Sequence, residues 1–248
     1  MKELLAPAKL TWFLEVTGVR EDGYHTLRSE MVSLDFSDRL IIEESEDYLR
    51  LTPASIRVPL DETNLVSKAL KLVGRKAGVT IDKVIPAGGG LGGGSSDAGA
   101  ILRWVGGISA ELAATLGGDV PFCQLGGRAL VEGIGEVLTP LQFEKRDVTL
   151  IIPNFSVDTK ACYQAFDELG EVGEGRNHLE RAARIVEPRL NKTMNWLSTE
   201  LGKEVHLAGS GSTMFVEGHL EPGQSVWDVQ GPEGTIRFRQ TSTTPQEA

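Results

Sequence analysis

Pro86-Ala-Gly-Gly-Gly-Leu-Gly-Gly-Gly-Ser-Ser96 is the stretch from which the fold of this chain can be read. An apolar, β-branched run over 79–85 leads into it, and Ile101, Leu102 and Val105 follow at helical spacing. The pattern predicts a strand, a glycine loop and then a helix from Ser95. That order makes an anion site. Backbone N–H groups in the opening turn of a helix have no partner within the helix, and the helix dipole is positive there. Glycine lets the backbone approach a ligand with no Cβ in the way. A flexible linker is also rich in Gly and Ser, but it is not usually bracketed by a strand and an apolar helix. A Walker P-loop needs Lys after its last glycine, where this chain has Ser95. Gly88-x-Gly90-x-x-Gly93 matches a dinucleotide fingerprint, but so dense a glycine run makes the match nearly automatic. The acid expected about 20 residues on would be Glu111, inside a predicted helix.

On the N-terminal side, Leu10, Trp12, Leu14 and Val16 alternate with Lys9, Thr11, Phe13 and Glu15, which predicts a strand ending at Gly18. Glu21-Asp22-Gly23 signals a turn, and 29–36 and 39–44 are predicted as two further strands. The acidic run over 43–47 reads as a solvated hairpin edge. Residues 64–77 are predicted helical, capped by Asn64 and stopped by Gly78. A short helix over 109–116 closes at Gly117-Gly118. A second block opens near Asp147, with a strand over 148–152, a helix over 158–169 and a glycine- and acid-rich connector over 170–175. Helices over 177–186 and 187–201 follow, then strands over 205–208 and 213–216 around the turn Gly209-Ser-Gly211. The polar tail after Arg239 is expected to be disordered. The sum is an α+β chain in two lobes, residues 1–146 and 147–248.

Composition narrows the partners. The 35 acidic and 25 basic residues give a net charge of −10, which disfavours nucleic acid and anionic membranes as partners. An acidic protein that binds a polyanion needs local backbone donors and a few placed lysines. No run approaches the roughly 18–20 apolar residues of a membrane span, and Pro7 interrupts the N-terminus before a signal-type apolar region develops. Two cysteines, Cys123 and Cys162, without a CxxC or a histidine cluster near them, suit a reducing cytoplasm and argue against a structural zinc site. His178, His206 and His219 are scattered and take no role, and Trp104 and Trp196 read as core.

Four motifs resemble the GHMP kinase superfamily. They are Ala6-Pro7-Ala8-Lys9-Leu10, Asp22-Gly23-Tyr24-His25, the glycine run, and Leu116-Gly-Gly-Asp119-Val-Pro-Phe122. Leu207-Ala-Gly-Ser-Gly-Ser-Thr-Met-Phe215 supports them, so the resemblance spans residues 6–215. The glycine runs mark the superfamily. Asp-Gly-Tyr-His together with Gly-Asp-Val-Pro-Phe resembles the branch whose acceptor carries a cytidine diphosphate.

The resemblance implies a two-lobed fold with its active site in the cleft, ATP as phosphoryl donor, and Mg²⁺ arriving on the ATP. The implied reaction phosphorylates the 2-hydroxyl of a diphosphocytidyl methylerythritol in non-mevalonate isoprenoid precursor synthesis. Lys9 and Asp119 would be the catalytic pair. Asn64, Leu65 and Lys83 would contact adenosine, and Pro86, Ala87, Gly88, Gly89, Gly90, Leu91, Gly92, Gly93, Gly94, Ser95 and Ser96 the phosphates. Tyr24 and Tyr163 would sandwich the cytosine, with His25 at its polar edge and Thr159 nearby. Thr11 stands where the family usually has an asparagine reaching the substrate, and Tyr163 where phenylalanine is common. After Phe215 the family leads to a helix and a final strand, for which Pro222, Gly223 and Pro232 are poor material, so a shortened end is expected.

The chemistry of the residues agrees with these roles. Phosphoryl transfer asks for positioning and charge stabilisation. A carboxylate such as Asp119 can take the hydroxyl proton, and an ammonium such as Lys9 keeps that carboxylate ionised. Alone, the first reads as a solvated loop residue and the second as a strand-edge lysine; beside a phosphate loop they read as a pair. Other GHMP kinases acting on homoserine, mevalonate-type alcohols or sugars, or an ATP-binding regulator without turnover, remain as alternative readings.

Overall fold

The computed structural model describes residues 1–170 and 175–246. Two long strands, β1 (Lys2–Val19) and β2 (His25–Glu43), pair antiparallel and carry the architecture. The turn between them closes as the sequence predicts: Gly23 takes φ +83° and Tyr24 N donates to Asp22 Oδ1 at 3.2 Å. Pro7 has no N–H to give the ladder, and the first of three register shifts falls between Pro7 and Lys9.

The two strands predicted at 29–36 and 39–44 are one. Ser37 and Asp38 stay in register with β1, because the buried Asp38 carboxylate turns inward to accept from Val84 N at 2.6 Å and Ile85 N at 2.9 Å. The alternation seen in β1 does not become alternating burial either. Ala8, Lys9, Leu10 and Thr11 are all buried, since core covers one face and the glycine turns around Gly92 and Gly209 pack against the other.

A short β3 (Tyr48–Leu51) lies parallel to β4 (Gly78–Asp82), so the acidic segment before it is solvated but is not a hairpin onto β2. Helix α1 (Leu65–Leu72) connects them; Asn64 caps it, and Gly74 at φ +64° ends it. Gly78 therefore opens a strand rather than stopping a helix. A Cβ there would clash with the Tyr48 ring. Helix α2 (Gly93–Val105), α3 (Ala110–Ala114) and α4 (Val120–Leu125) follow, then β5 (Arg128–Gly133) and β6 (Val137–Pro140). The first sheet runs β3-β4-β2-β5-β6, with β1 also on β2. Its apolar face, Leu40, Ile42, Val79 and Ile81, packs against Val66 and Ala69 of α1 and Ile101 and Leu102 of α2.

The second sheet begins with β7 (Asp147–Pro153). Helices α5 (Thr159–Leu169), α6 (Glu180–Val186) and α7 (Pro188–Leu201) cover it, and β8 (His206–Leu207), β9 (Met214–Glu217), β10 (Val226–Gly231) and β11 (Gly234–Ser242) complete it. Its order is β10-β11-β7-β9-β8. Of the connector predicted over 170–175, residues 171–174 lie outside the described residues.

One expectation for this half is corrected. The tail after Arg239 is ordered to the end of β11 and beyond, with Thr243 N donating to Arg146 O and Thr244 N to Ser33 O, both at 2.9 Å. Its β-branched threonines favour a strand, and an open edge of β7 receives it. In place of a helix after Phe215, β10 and β11 form a hairpin on the sheet, with Trp227 and Phe238 stacked at 5.2 Å. Proline and glycine in that stretch suit hairpin turns and exclude a helix.

The two sheets share a core. Leu10, Val32 and Leu34 from the first meet Leu150 and Phe215 from the second, with Leu91 of the glycine loop among them. Burying Leu91 completely stabilises the fold by about 1.5–3 kcal/mol and pins the middle of the loop to the junction of the sheets. Among the described residues no helix is long and apolar enough to cross a membrane.

Candidate active site

The glycine loop is shaped by its neighbours. Gly88, Gly90 and Gly92 hold φ of +74°, +80° and +67°. A Cβ on Gly90 would fall 2.7 Å from Ala208 O, and one on Gly92 would fall 2.7 Å from Lys9 Cγ. Lys9 N donates to Leu91 O and Thr213 N to Gly89 O, both at 3.0 Å, so β1 and the second glycine turn hold the loop from two sides. Helix α2 starts at Gly93, two residues before the predicted Ser95, and has no acid in its first turn. Its opening N–H groups and positive dipole end face the loop mouth. A cavity of about 350 Å³ lies there, lined by Asn64, Leu65, the glycine run, Ser95 and Asp119.

Lys9 and Asp119 meet at one end of this cradle, with Lys9 Nζ 3.1 Å from Asp119 Oδ2. The ammonium is buried and the carboxylate one-third exposed, so an incoming group can reach the Asp119 carboxylate while the Lys9 ammonium is shielded. Lys9 Nζ also donates to Thr11 Oγ1 at 3.1 Å, which places Thr11 in the same cluster. Asp119 sits at the N-terminus of α4 but caps no N–H with its side chain, leaving the carboxylate for Lys9 and the cleft.

Lys83 has a different position from a ligand contact. It is buried, and its ammonium bridges Asp38 at 2.5 Å and Asp97 at 2.7 Å beneath the start of α2. Burial raises the Asp97 carboxyl to about 7; the Lys83 ammonium opposes that rise and the Asp38 carboxylate adds to it. The Asn64 amide is also engaged, accepting from Val66 N and donating to Pro59 O. Asn64, Leu65 and Lys83 line the cavity, but the polar ends of Asn64 and Lys83 are held by the protein.

Helix α5 carries Thr159, Tyr163 and Asp167. Thr159 Oγ1 lies 2.9 Å from Ser210 Oγ, in the turn whose Gly209 adjoins Thr11 and Lys9. Tyr163 is in electrostatic reach of Asp119: burial, and after it that carboxylate, pushes its hydroxyl above the ordinary range. The ring stacked on Tyr163 is that of His25, with centroids 4.7 Å apart, while Tyr24 stands 63% exposed at the mouth. The structure thus brings His25 and Tyr163 together and leaves Tyr24 apart from them.

Residues 64–127, which include the glycine loop and Asp119, match the family of GHMP kinases N terminal domain. A 4-diphosphocytidyl-2-C-methyl-D-erythritol kinase from Persephonella marina is 35% identical over 93% of this chain and 97% of its own length. The enzyme of that name from Xanthomonas euvesicatoria is 36% identical over 86% and 80%. The chain belongs to the 4-diphosphocytidyl-2-C-methyl-D-erythritol kinase family. A crystal structure of a 4-(cytidine 5'-diphospho)-2C-methyl-D-erythritol kinase superposes with a TM-score of 0.72 at 30% identity, covering 98% of this chain and all of that one. Mevalonate kinase of L. major shares the fold, with a TM-score of 0.66 at 14% identity over 100% of this chain and 97% of that one. As a member of this kinase family, the protein is an ATP-using phosphotransferase with the α+β GHMP kinase fold predicted for it.

Sequence reasoning missed several residues that this family member uses to build the site. Asp38 and Asp97 hold Lys83, and only Asp97, directly after Ser95-Ser96, carried a local signal. Asn177, expected inside a helix, instead donates through its buried amide to Leu207 O at 2.9 Å and Gly209 O at 2.7 Å, bracing the second glycine turn. Asp167 stands one helical turn beyond Tyr163, a spacing that could have flagged it.

Proposed function

We propose that the enzyme transfers the γ-phosphoryl group of ATP to the 2-hydroxyl of 4-diphosphocytidyl-2-C-methyl-D-erythritol in non-mevalonate isoprenoid precursor synthesis, with Lys9 and Asp119 as the catalytic pair. The observation that carries these roles is the 3.1 Å Lys9–Asp119 pair at the end of the glycine cradle. The triphosphate lies over 86–96, held by the opening N–H groups of α2, and magnesium enters with the nucleotide as part of the substrate. Asp119 accepts the proton of the 2-hydroxyl as its oxygen bonds to the γ-phosphorus and ADP leaves. Lys9 keeps the carboxylate ionised until then and offsets charge on the transferring group; Thr11 orients the ammonium. Asn64 and Leu65 bound the adenosine pocket, and Lys83 supports it from beneath. Tyr24 provides a stacking face for the cytosine, while Tyr163 acts by holding His25. A Tyr24–Tyr163 sandwich would require the His25 ring to leave Tyr163. Thr159 and Ser210 lie along the acceptor's path. The N-terminal lobe, 1–146, supplies the nucleotide side and the remainder most of the acceptor side.

The test is ADP release with this acceptor against homoserine, mevalonate and galactose, in wild type and Asp119→Asn. Turnover should be confined to the diphosphocytidyl acceptor and fall by about 10²–10⁴ in the variant with ATP binding retained. Equal use of another acceptor refutes the substrate, and full turnover by Asp119→Asn refutes the base.

A further inference from the structure

Histidine can present either a donor or an acceptor at each ring nitrogen, and the bond made by one nitrogen decides what the other offers. His25 opens β2 next to the turn at Asp22-Gly23, and its ring is held from three sides by α5. Tyr163 stacks on one face at 4.7 Å, and Phe166 meets it edge-on at 6.2 Å and 81°. Asp167 Oδ1 lies 2.7 Å from Nε2. Tyr163 and Asp167 are four residues apart, so one helix face supplies both the stacking surface and the carboxylate. The ring is only 10% exposed, and among the described residues Nδ1 has no hydrogen-bond partner.

We infer that Asp167 is a positioning residue for cytosine selection: it holds the Nε2–H tautomer of His25, so that Nδ1 is a bare acceptor for the exocyclic amine of the base. The inference rests on the acceptor proposed above and concerns a residue to which that reading gives no role. An ionised carboxylate only accepts, so the bond to Asp167 requires the proton on Nε2. Neutral imidazole then has a lone pair on Nδ1. Cytosine presents an amino donor at C4, whereas uracil presents a carbonyl acceptor at the same place. A lone pair on Nδ1 therefore bonds the first and opposes the second. Without the carboxylate, the ring can place its proton on Nδ1, and the two bases lose their distinction at this atom. A site built to hydrogen-bond one group rejects an analogue lacking it because its own polar atom is left unpaired.

The experiment measures kcat/KM for the cytidine acceptor and its uridine counterpart in wild type, Asp167→Ala and Asp167→Asn, together with the tautomer of His25 by ¹⁵N NMR. The chain has four histidines, and His25→Gln assigns the signal. Wild type is expected to show N–H at Nε2 and prefer cytidine. Asp167→Ala should lower the cytidine-to-uridine ratio by about ten- to a hundredfold, with mixed tautomers and an unchanged KM for ATP. Asp167→Asn can accept from Nε2–H or donate to a bare Nε2, so its ratio should fall between the other two. Equal losses for both acceptors in Asp167→Ala, or a proton on Nδ1 in wild type, would overturn the inference while leaving the proposed reaction intact. A wild type that ignores the nucleobase overturns both the acceptor assignment and this inference.

Discussion

Replacing Gly92 by alanine separates the conformational use of the glycine loop from its catalytic use. Gly92 holds φ +67°, and a Cβ there would lie 2.7 Å from Lys9 Cγ and 3.2 Å from Lys9 Cε. Two costs follow. The left-handed backbone costs an alanine about 1–2 kcal/mol. The lysine stem must also retreat by more than half an ångström to regain ordinary contact, and it is the stem that aims the ammonium at Asp119, 3.1 Å away. A shift approaching 1 Å at a reacting centre lowers turnover by about 10²-fold. Gly74→Ala is the matched control, since Gly74 holds φ +64° with nothing within 4 Å of the added Cβ. Gly74→Ala should therefore lose only the backbone contribution in thermal melts and keep its kcat, while Gly92→Ala should lose at least as much stability and about 10- to 100-fold in kcat. Steady-state kinetics at saturating ATP with a coupled ADP assay reads the difference. If the two variants keep the same kcat, the Lys9 position does not control catalysis and the reasoning fails.

Two further outcomes follow from the geometry. Tyr24→Ala should raise the KM of the acceptor by roughly 10-fold or more, since stacking on an aromatic contributes about 1–3 kcal/mol per base, while the KM for ATP stays within about twofold; an unchanged acceptor KM would remove Tyr24 from the site. Asp97 has its carboxyl raised in the folded state to about 7, so the folded protein holds a proton that the unfolded chain releases near the ordinary aspartate range. Its contribution is full below that ordinary range and is lost as pH rises through about 7. Asp97→Asn, which keeps the shape without the titration, should accordingly show a smaller fall in melting temperature between pH 5 and 8 (about three pH units, chosen to bracket the transition), and parallel wild-type and variant curves would contradict it.

The parts of this protein that were legible in the sequence are those in which chemistry and local structure coincide. The strand–glycine–helix order over 79–105 is written in residue types, because positive φ and close backbone approach both require glycine. The helix over Thr159–Leu169 could be placed for a similar reason, since Asp158 caps it and Gly170 ends it. Lys9 and Asp119 could be paired from their motifs although 110 positions separate them in the numbering.

What tertiary structure decided is where a side chain's use depends on what the chain brings against it. Lys83 is ordinary as a sequence letter; only the meeting of β2, β4 and α2 surrounds its ammonium with Asp38 and Asp97 and takes it out of reach of solvent. The polar tail becomes a strand because β7 offers it an unpaired edge, which no local propensity could announce. His25 and Tyr163 are stacked because the β1–β2 turn reaches α5 from the other half of the chain. Local pattern specifies backbone conformation through sterics that act over a few residues, so the sequence by itself determined the glycine cradle and pointed to the Lys9–Asp119 pair beside it. Burial, ionic partners and tautomer are set by atoms distant along the chain, and those only the folded structure could assign.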